Sequence, residues 1–176
     1  MRRAPLGRRL CAGRGGCQDA NAETVMRIPL SRPDVTEEEI EQVVAVLRSP
    51  DLALGPTMVR FEEALAAYVG RRRAVAVNSG TSGLFLSLTA LGIGPGDEVI
   101  TTPFTFIASA TTIMMTGARP VFVDVDPVSL NLDPGRVEAA LTPRTKAILP
   151  VEVFGNPAGF DVLCGLAARH RRVGGW

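Results

Sequence analysis

The six residues Asn78-Ser79-Gly80-Thr81-Ser82-Gly83 have the types and spacing to hold an anion. They follow a strand-like apolar run, Ala74-Val75-Ala76-Val77, and open a helix-like one, Leu84-Phe85-Leu86-Ser87-Leu88. A small-residue turn between strand and helix leaves backbone N–H groups uncovered at the positive end of the helix dipole, where a phosphate group is favoured. Gly80 and Gly83 allow close approach of the backbone, and Ser79, Thr81 and Ser82 add hydroxyl donors. The same residues also build turns for conformational reasons alone, so the anion reading depends on what lies beside the turn.

Two further segments reach the same edge of the expected sheet. They are Thr101-Thr102-Pro103-Phe104-Thr105-Phe106 and Pro150-Val151-Glu152-Val153-Phe154-Gly155-Asn156-Pro157. In an open α/β sheet, ligands bind outside the carboxyl ends of the strands. An anion cradle beside an aromatic-bearing turn suits a flat aromatic phosphate ester, which needs an anion site and a stacking surface. Taken by itself, Phe106 reads either as that surface or as the core aromatic of an amphipathic helix. Asp124 and Asp126 close a strand at this edge, to meet a substrate or, more simply, to cap the following turn.

Lys146 is the only lysine and His170 the only histidine. Lys146 enters its strand at the N-terminal end, opposite the cradle, and reads as a solvated surface lysine rather than a catalytic group. His170 ends the last helix, where a cation is favourable. Cys11, Cys17 and Cys164 make an odd count without paired ligand spacing, so neither a metal site nor a disulfide is expected.

The elements that position these residues follow from periodicity. Thr36-Glu37-Glu38-Glu39 is a capping box, followed by Ile40, Val43, Val44 and Leu47 at helical spacing and stopped by Ser49-Pro50. A second helix is expected over 57–69, burying Phe61, Leu65 and Tyr68, with Gly70 as its stop. From Ala74 the chain alternates. Strands are expected near 74–78, 98–102, 120–125 and 146–153, and helices near 82–91, 105–116, 134–141 and 161–170. Short apolar strands alternating with helices imply an α/β domain with a mostly parallel sheet and helices on both faces.

Composition sets the class. The 176 residues are 46% apolar and 21% charged, as in ordinary globular proteins, and no apolar run approaches the roughly 20 residues that cross a bilayer. The N-terminus has arginines but no apolar segment, so no secretory signal is expected there, and a cytoplasmic protein without a membrane partner is expected. Five arginines against Asp19 and Glu23 give residues 1–25 a charge of +3, leaving −2 for the rest of a chain whose net charge is +1. A faintly acidic body argues against a nucleic-acid partner. Residues 1–25 lack periodicity and read as a disordered or mis-called extension, with the folded unit over 26–170. After His170 the chain gives Arg171-Arg172-Val173-Gly174-Gly175-Trp176 where another strand is due. The domain therefore reads as incomplete at the C-terminus, with 171–176 a foreign-looking tail and the product a truncated one.

Many segments in one order resemble the DegT/DnrJ/StrS family of sugar aminotransferases. They are Ile28-Pro29-Leu30, Leu54-Gly55-Pro56, Phe61-Glu62, the Asn78–Gly83 turn, Gly94-Pro95-Gly96-Asp97-Glu98-Val99-Ile100 and Pro103-Phe104-Thr105-Phe106. Gly117-Ala118 with Pro120-Val121-Phe122-Val123-Asp124, Thr142-Pro143-Arg144-Thr145-Lys146-Ala147 and Phe154-Gly155-Asn156-Pro157 complete the set. The resemblance covers about residues 26–170.

It implies the large domain of the aspartate-aminotransferase-like fold (fold type I) and pyridoxal 5′-phosphate (PLP) as cofactor. By position, Gly80, Thr81 and Ser82 hold the cofactor phosphate and Phe106 stacks on its ring. The implied partners are a nucleotide-linked keto sugar and glutamate, in a homodimer. The lysine that carries the cofactor and the acid on its pyridine nitrogen fall beyond Trp176 by this resemblance, so no catalytic residue is assigned on this chain. Two alternatives accompany this reading: a sugar dehydratase of the same family, with histidine in place of lysine, and a non-catalytic ligand- or partner-binding fragment. Glu152 stands where many members have histidine.

Overall fold

Near residue 74 the sequence changes from helix-forming stretches to alternating strand and helix, and the architecture changes with it. The structure, a computed structural model, describes residues 31–170. The expected extension over 1–25, the Ile28-Pro29-Leu30 segment and the tail 171–176 lie outside the described residues. The chain divides into one unit ending at Gly55 and another starting at Pro56.

In the first unit, α1 spans Glu37–Leu47. Its capping box forms as the sequence predicts: the Thr36 backbone N–H donates to Glu39 Oε2 at 2.7 Å, and the Thr36 hydroxyl donates to the same oxygen. The bond from the Thr36 side chain, followed by that from its backbone, holds the Glu39 carboxyl below the usual carboxylate range. The Ile40, Val43 and Leu47 stripe has the expected spacing but is exposed.

The second unit starts with α2, Pro56–Tyr68. Phe61, Leu65 and Tyr68 were expected to be buried, yet all three are exposed and Ala66 is the buried residue. The helix meets the chain through a different face, where Glu62 Oε1 accepts the Ala76 N–H at 2.7 Å. Residues 74–78 do not form the expected strand. A strand exists only as part of a ladder, and this segment is paired with none of the three strands described here.

Those strands are β1 (Glu98–Thr101), β2 (Arg119–Phe122) and β3 (Thr145–Ile148), all parallel in the order β2-β1-β3. The helices α3 (Gly80–Ala90), α4 (Ala108–Met115), α5 (Pro134–Ala140) and α6 (Phe160–Arg169) cover them. Alternation along the strands feeds two cores. Val99 and Ala147 join Leu88 of α3 and Ile113 of α4, whereas Ile100 and Ile148 join Val137 of α5 with Leu163 and Leu166 of α6. Central β1 is buried along its whole length, as a strand sandwiched between two helical layers must be.

The connectivity fixes where a ligand can sit. From β1 the chain crosses through α4 to β2, then returns through α5 to β3 on the other side of β1. The crossovers thus lie on opposite faces, and their loops part between the carboxyl ends of β1 and β3. That switch point is where open α/β sheets leave a crevice. No helix among the described residues is long and apolar enough to cross a membrane.

Candidate cofactor site

The crevice is there. A cleft of about 630 Å³ is lined by Gly80, Thr81 and Leu84 of α3, by Thr105, Phe106 and Ser109 around the start of α4, and by Val151 and Val153 beyond β3. Three segments that the sequence placed at one sheet edge therefore form one concavity.

Its polar wall is the first turn of α3. Ser79 is the N-cap, in extended conformation, and its Oγ accepts the Ser82 N–H at 3.1 Å. The two serine hydroxyls lie 3.0 Å apart. The first intrahelical bond runs from the Gly83 N–H to the Ser79 carbonyl at 3.0 Å, so the amides of Gly80 and Thr81 precede the hydrogen-bonded helix. A Cβ built on Gly80 meets no atom within 4 Å, so the space before it is open. Amides at a helix start, at the positive end of the dipole and facing open space, suit a phosphate. Gly80 and Thr81 lie on the cleft wall; Ser82, the third expected phosphate ligand, spends its N–H on the Ser79 cap.

Phe106 supplies the aromatic wall. The sequence predicts a helix from 105, but α4 starts only at Ala108. Residues 103–107 form a tight turn instead, in which the Thr105 N–H donates to the Pro103 carbonyl at 3.0 Å and the Ser109 N–H to that of Phe106 at 3.1 Å. Phe106 thus precedes the helix rather than lying on its buried face. It is 75% exposed, which removes the core-aromatic reading and leaves a ring face free for a ligand.

The remaining candidates are placed elsewhere or otherwise engaged. Asp126 takes the turn role: its Oδ1 accepts the Ser129 N–H at 2.7 Å, the Ser129 hydroxyl at 2.9 Å and the Val128 N–H at 3.1 Å. Those bonds, the Ser129 amide first, keep its carboxyl below the usual range. Asp124 accepts the Val125 N–H at 2.9 Å and faces Arg136 at 3.4 Å. Lys146 is exposed near the start of β3, at the strand end opposite the cleft. His170 caps the C-terminus of α6, and Cys164 is a free, half-buried thiol on the same helix.

Sequence reasoning missed two polar clusters that hold the frame. Asn131, buried, donates through Nδ2 to the carbonyls of Asn156 at 2.7 Å and Ala158 at 2.9 Å, pinning the loop that carries Phe154. The Phe154 ring then lies 6.3 Å from that of Phe104. At the far end of the sheet, Glu98 is 2% exposed and accepts from Thr142 Oγ1 at 2.5 Å and from Arg144 at 2.8 and 3.1 Å, with Arg119 3.7 Å away. The Thr142 hydroxyl, followed by Arg144, holds this carboxyl below its usual range. A carboxylate reading EVI at a strand start carries no sequence signal for burial; Asn131 likewise reads as one more turn residue.

A three-layer α/β domain with an anion cradle and an exposed ring at its switch point has the fold of the type I PLP-dependent aminotransferases. The chain belongs to the DegT/DnrJ/EryC1/StrS aminotransferase family, whose model matches residues 33–172. It is 51% identical over 143 residues to the spore coat polysaccharide biosynthesis protein SpsC of Bacillus subtilis, covering 81% of this chain and 37% of that protein. It is 47% identical over 125 residues to the UDP-2-acetamido-2-deoxy-3-oxo-D-glucuronate aminotransferase of Pseudomonas aeruginosa, covering 71% and 35%. Among solved structures, it superposes with a TM-score of 0.77 and 39% identity on the PLP-form of the sugar aminotransferase Spr1654 from Streptococcus pneumoniae, covering 84% of this chain and 38% of that one. The chain thus spans little more than a third of the length of the proteins it matches.

Proposed function

We propose that this chain supplies the phosphate- and ring-holding half of a PLP site in a sugar aminotransferase that acts on a nucleotide-linked keto sugar with glutamate as amino donor. The cleft carries the reading, because one concavity joins the first-turn residues Gly80 and Thr81 of α3 to the exposed Phe106 ring. Gly80 and Thr81 present their N–H groups to the phosphate, with the Thr81 hydroxyl as a further donor. Ser82 contributes by locking the Ser79 cap, which keeps the first turn of α3 in place. Phe106 offers its face to the pyridine ring, and Leu84, Val151 and Val153 exclude water from the ring's edges. When bound, the cofactor supplies the electron sink that amino transfer requires. The amino-transferring names of the relatives favour this reaction over the dehydratase alternative.

Lys146 does not serve the cofactor in this reading, because it lies at the wrong end of β3. The lysine needed for turnover comes from outside residues 1–176, and the chain alone is inactive. Borohydride reduction with stoichiometric PLP, followed by peptide mass mapping, is expected to leave Lys146 unmodified. A specific adduct there would overturn the assignment.

A further inference from the structure

We infer that Ser109 is a positioning residue, which acts through Thr105 to aim the Phe106 ring into the cleft. The inference rests on the cofactor reading above and adds to it a determinant that, although Ser109 also borders the cleft, acts on the ring through the turn that carries it. With three-quarters of its surface exposed, the Phe106 side chain has little packing of its own to fix it. Its direction is therefore set by the backbone of the turn.

That turn is held by hydroxyls at both ends. On the strand side, Thr102, buried, accepts the Phe104 N–H on its Oγ1 at 3.1 Å. On the helix side, Ser109, also buried, has its Oγ 2.8 Å from Thr105 Oγ1, the side chain immediately before Phe106. The backbone bond from the Ser109 N–H to the Phe106 carbonyl closes the same turn. Ser109 sits in the first turn of α4, whose Thr112 and Ile113 are fully buried, so it forms a fixed post. Removing its hydroxyl frees Thr105 and lets the turn sample orientations in which the ring leaves the cleft. Apparent affinity for a ring-bearing ligand then falls in proportion to the competent fraction.

The probe is pyridoxamine 5′-phosphate, which cannot form an imine with a lysine, measured by equilibrium dialysis on the full chain beside inorganic phosphate. Phe106→Ala is expected to weaken the ring-bearing probe about fivefold to tenfold, the worth of an aromatic contact. Ser109→Ala is expected to weaken it about threefold, as when two-thirds of the turn population leaves the competent state. It leaves phosphate binding unchanged, and Ser109→Thr restores the probe's affinity. In the Phe106→Ala background, Ser109→Ala should have no further effect, because there is no ring left to aim. Amide exchange should rise over 103–107 while the interior of α4 stays protected.

An equal Ser109→Ala effect with and without the ring overturns the inference, since the hydroxyl would then be touching the ligand itself. So does unchanged exchange over 103–107. If Phe106→Ala binds the probe as the parent does, the cofactor reading of the ring fails instead, and the exchange result shows separately whether Ser109 holds the turn.

Discussion

Gly80→Ala separates the cradle's binding role from any structural one. A methyl group at Gly80 meets no protein atom within 4 Å, so the fold has room for it. Gly80 is the first residue of α3, and its φ lies outside the left-handed region. Replacing glycine by alanine at such a position restricts the unfolded chain and stabilises the fold by about 0.4–1 kcal/mol. For a chain of this size that is a rise in Tm of roughly 1–4 °C. Binding should move the other way, because Gly80 lines the cleft and a methyl group there takes up space that a bound phosphate would use. An oxygen held off those N–H groups beyond about 3.5 Å no longer forms a hydrogen bond. Each bond to a charged acceptor is worth about 1.5–3 kcal/mol, so losing even one weakens a phosphate ester by roughly tenfold or more. Dialysis with pyridoxamine 5′-phosphate and a thermal melt of the same sample read the two effects together. Gly83→Ala is the control: unlike the sequence reading, the structure leaves Gly83 off the cleft lining with its N–H on the Ser79 carbonyl, its Cβ makes an ordinary 3.5 Å contact with Val77 Cγ2, and binding should persist. A Gly80→Ala chain that binds as tightly as the parent refutes the cradle, and one that melts markedly lower refutes the claim of open space.

Three further outcomes test the frame around the site. Asn131→Ala removes two hydrogen bonds that pin the 154–158 loop and should lower stability by about 2 kcal/mol, read as a loss of roughly 4–8 °C in Tm. Glu98, held below the usual carboxylate range by Thr142 and Arg144, contributes stability that is fully present above its unfolded value and is lost as pH falls through its folded one. Acid denaturation followed by circular dichroism should show this loss below the ordinary carboxylate range, and Glu98→Gln should flatten that limb. Gly117→Ala places a side chain at φ 82°, with its Cβ 2.8 Å from Pro95 Cγ. That strain should reduce urea stability by about 1–3 kcal/mol, and an unchanged midpoint would contradict the geometry of this turn.

The helices and the sheet were largely legible because their signals are local. The Thr36-to-Glu39 box marks a helix start where one forms, and the helix expected near 134–141 starts at Pro134, where Asp133 Oδ1 accepts the Gly135 N–H at 2.9 Å as a cap should. Alternation of Val99 with Ile100 and of Ala147 with Ile148 announced strands covered on both faces. The misreadings occur where a neighbour decides. Phe61, Leu65 and Tyr68 recur at core spacing, but which face of α2 meets the chain is settled by Glu62 reaching the Ala76 amide. Likewise, Ala74-Val75-Ala76-Val77 has strand composition, yet a ladder needs a second strand beside it, and composition cannot supply one.

The start of α4 shows how such a deviation bears on chemistry. Periodicity runs smoothly back to Thr105, so a reading by pattern continues the helix through Phe106 and buries the ring. In the structure, hydroxyls from Thr102 and Ser109 hold residues 103–107 as a turn, and the ring emerges at the switch point between β1 and β3. The shift is three residues long, and of the two readings open for Phe106 it leaves the wall of the cleft. The anion reading of Asn78–Gly83 needed an aromatic neighbour to become specific, and among the described residues that line the cleft this turn brings one to Gly80 and Thr81. The site is therefore a property of the pair: a cradle read from its own six residues, and a ring whose place is set by two hydroxyls that the helical pattern conceals.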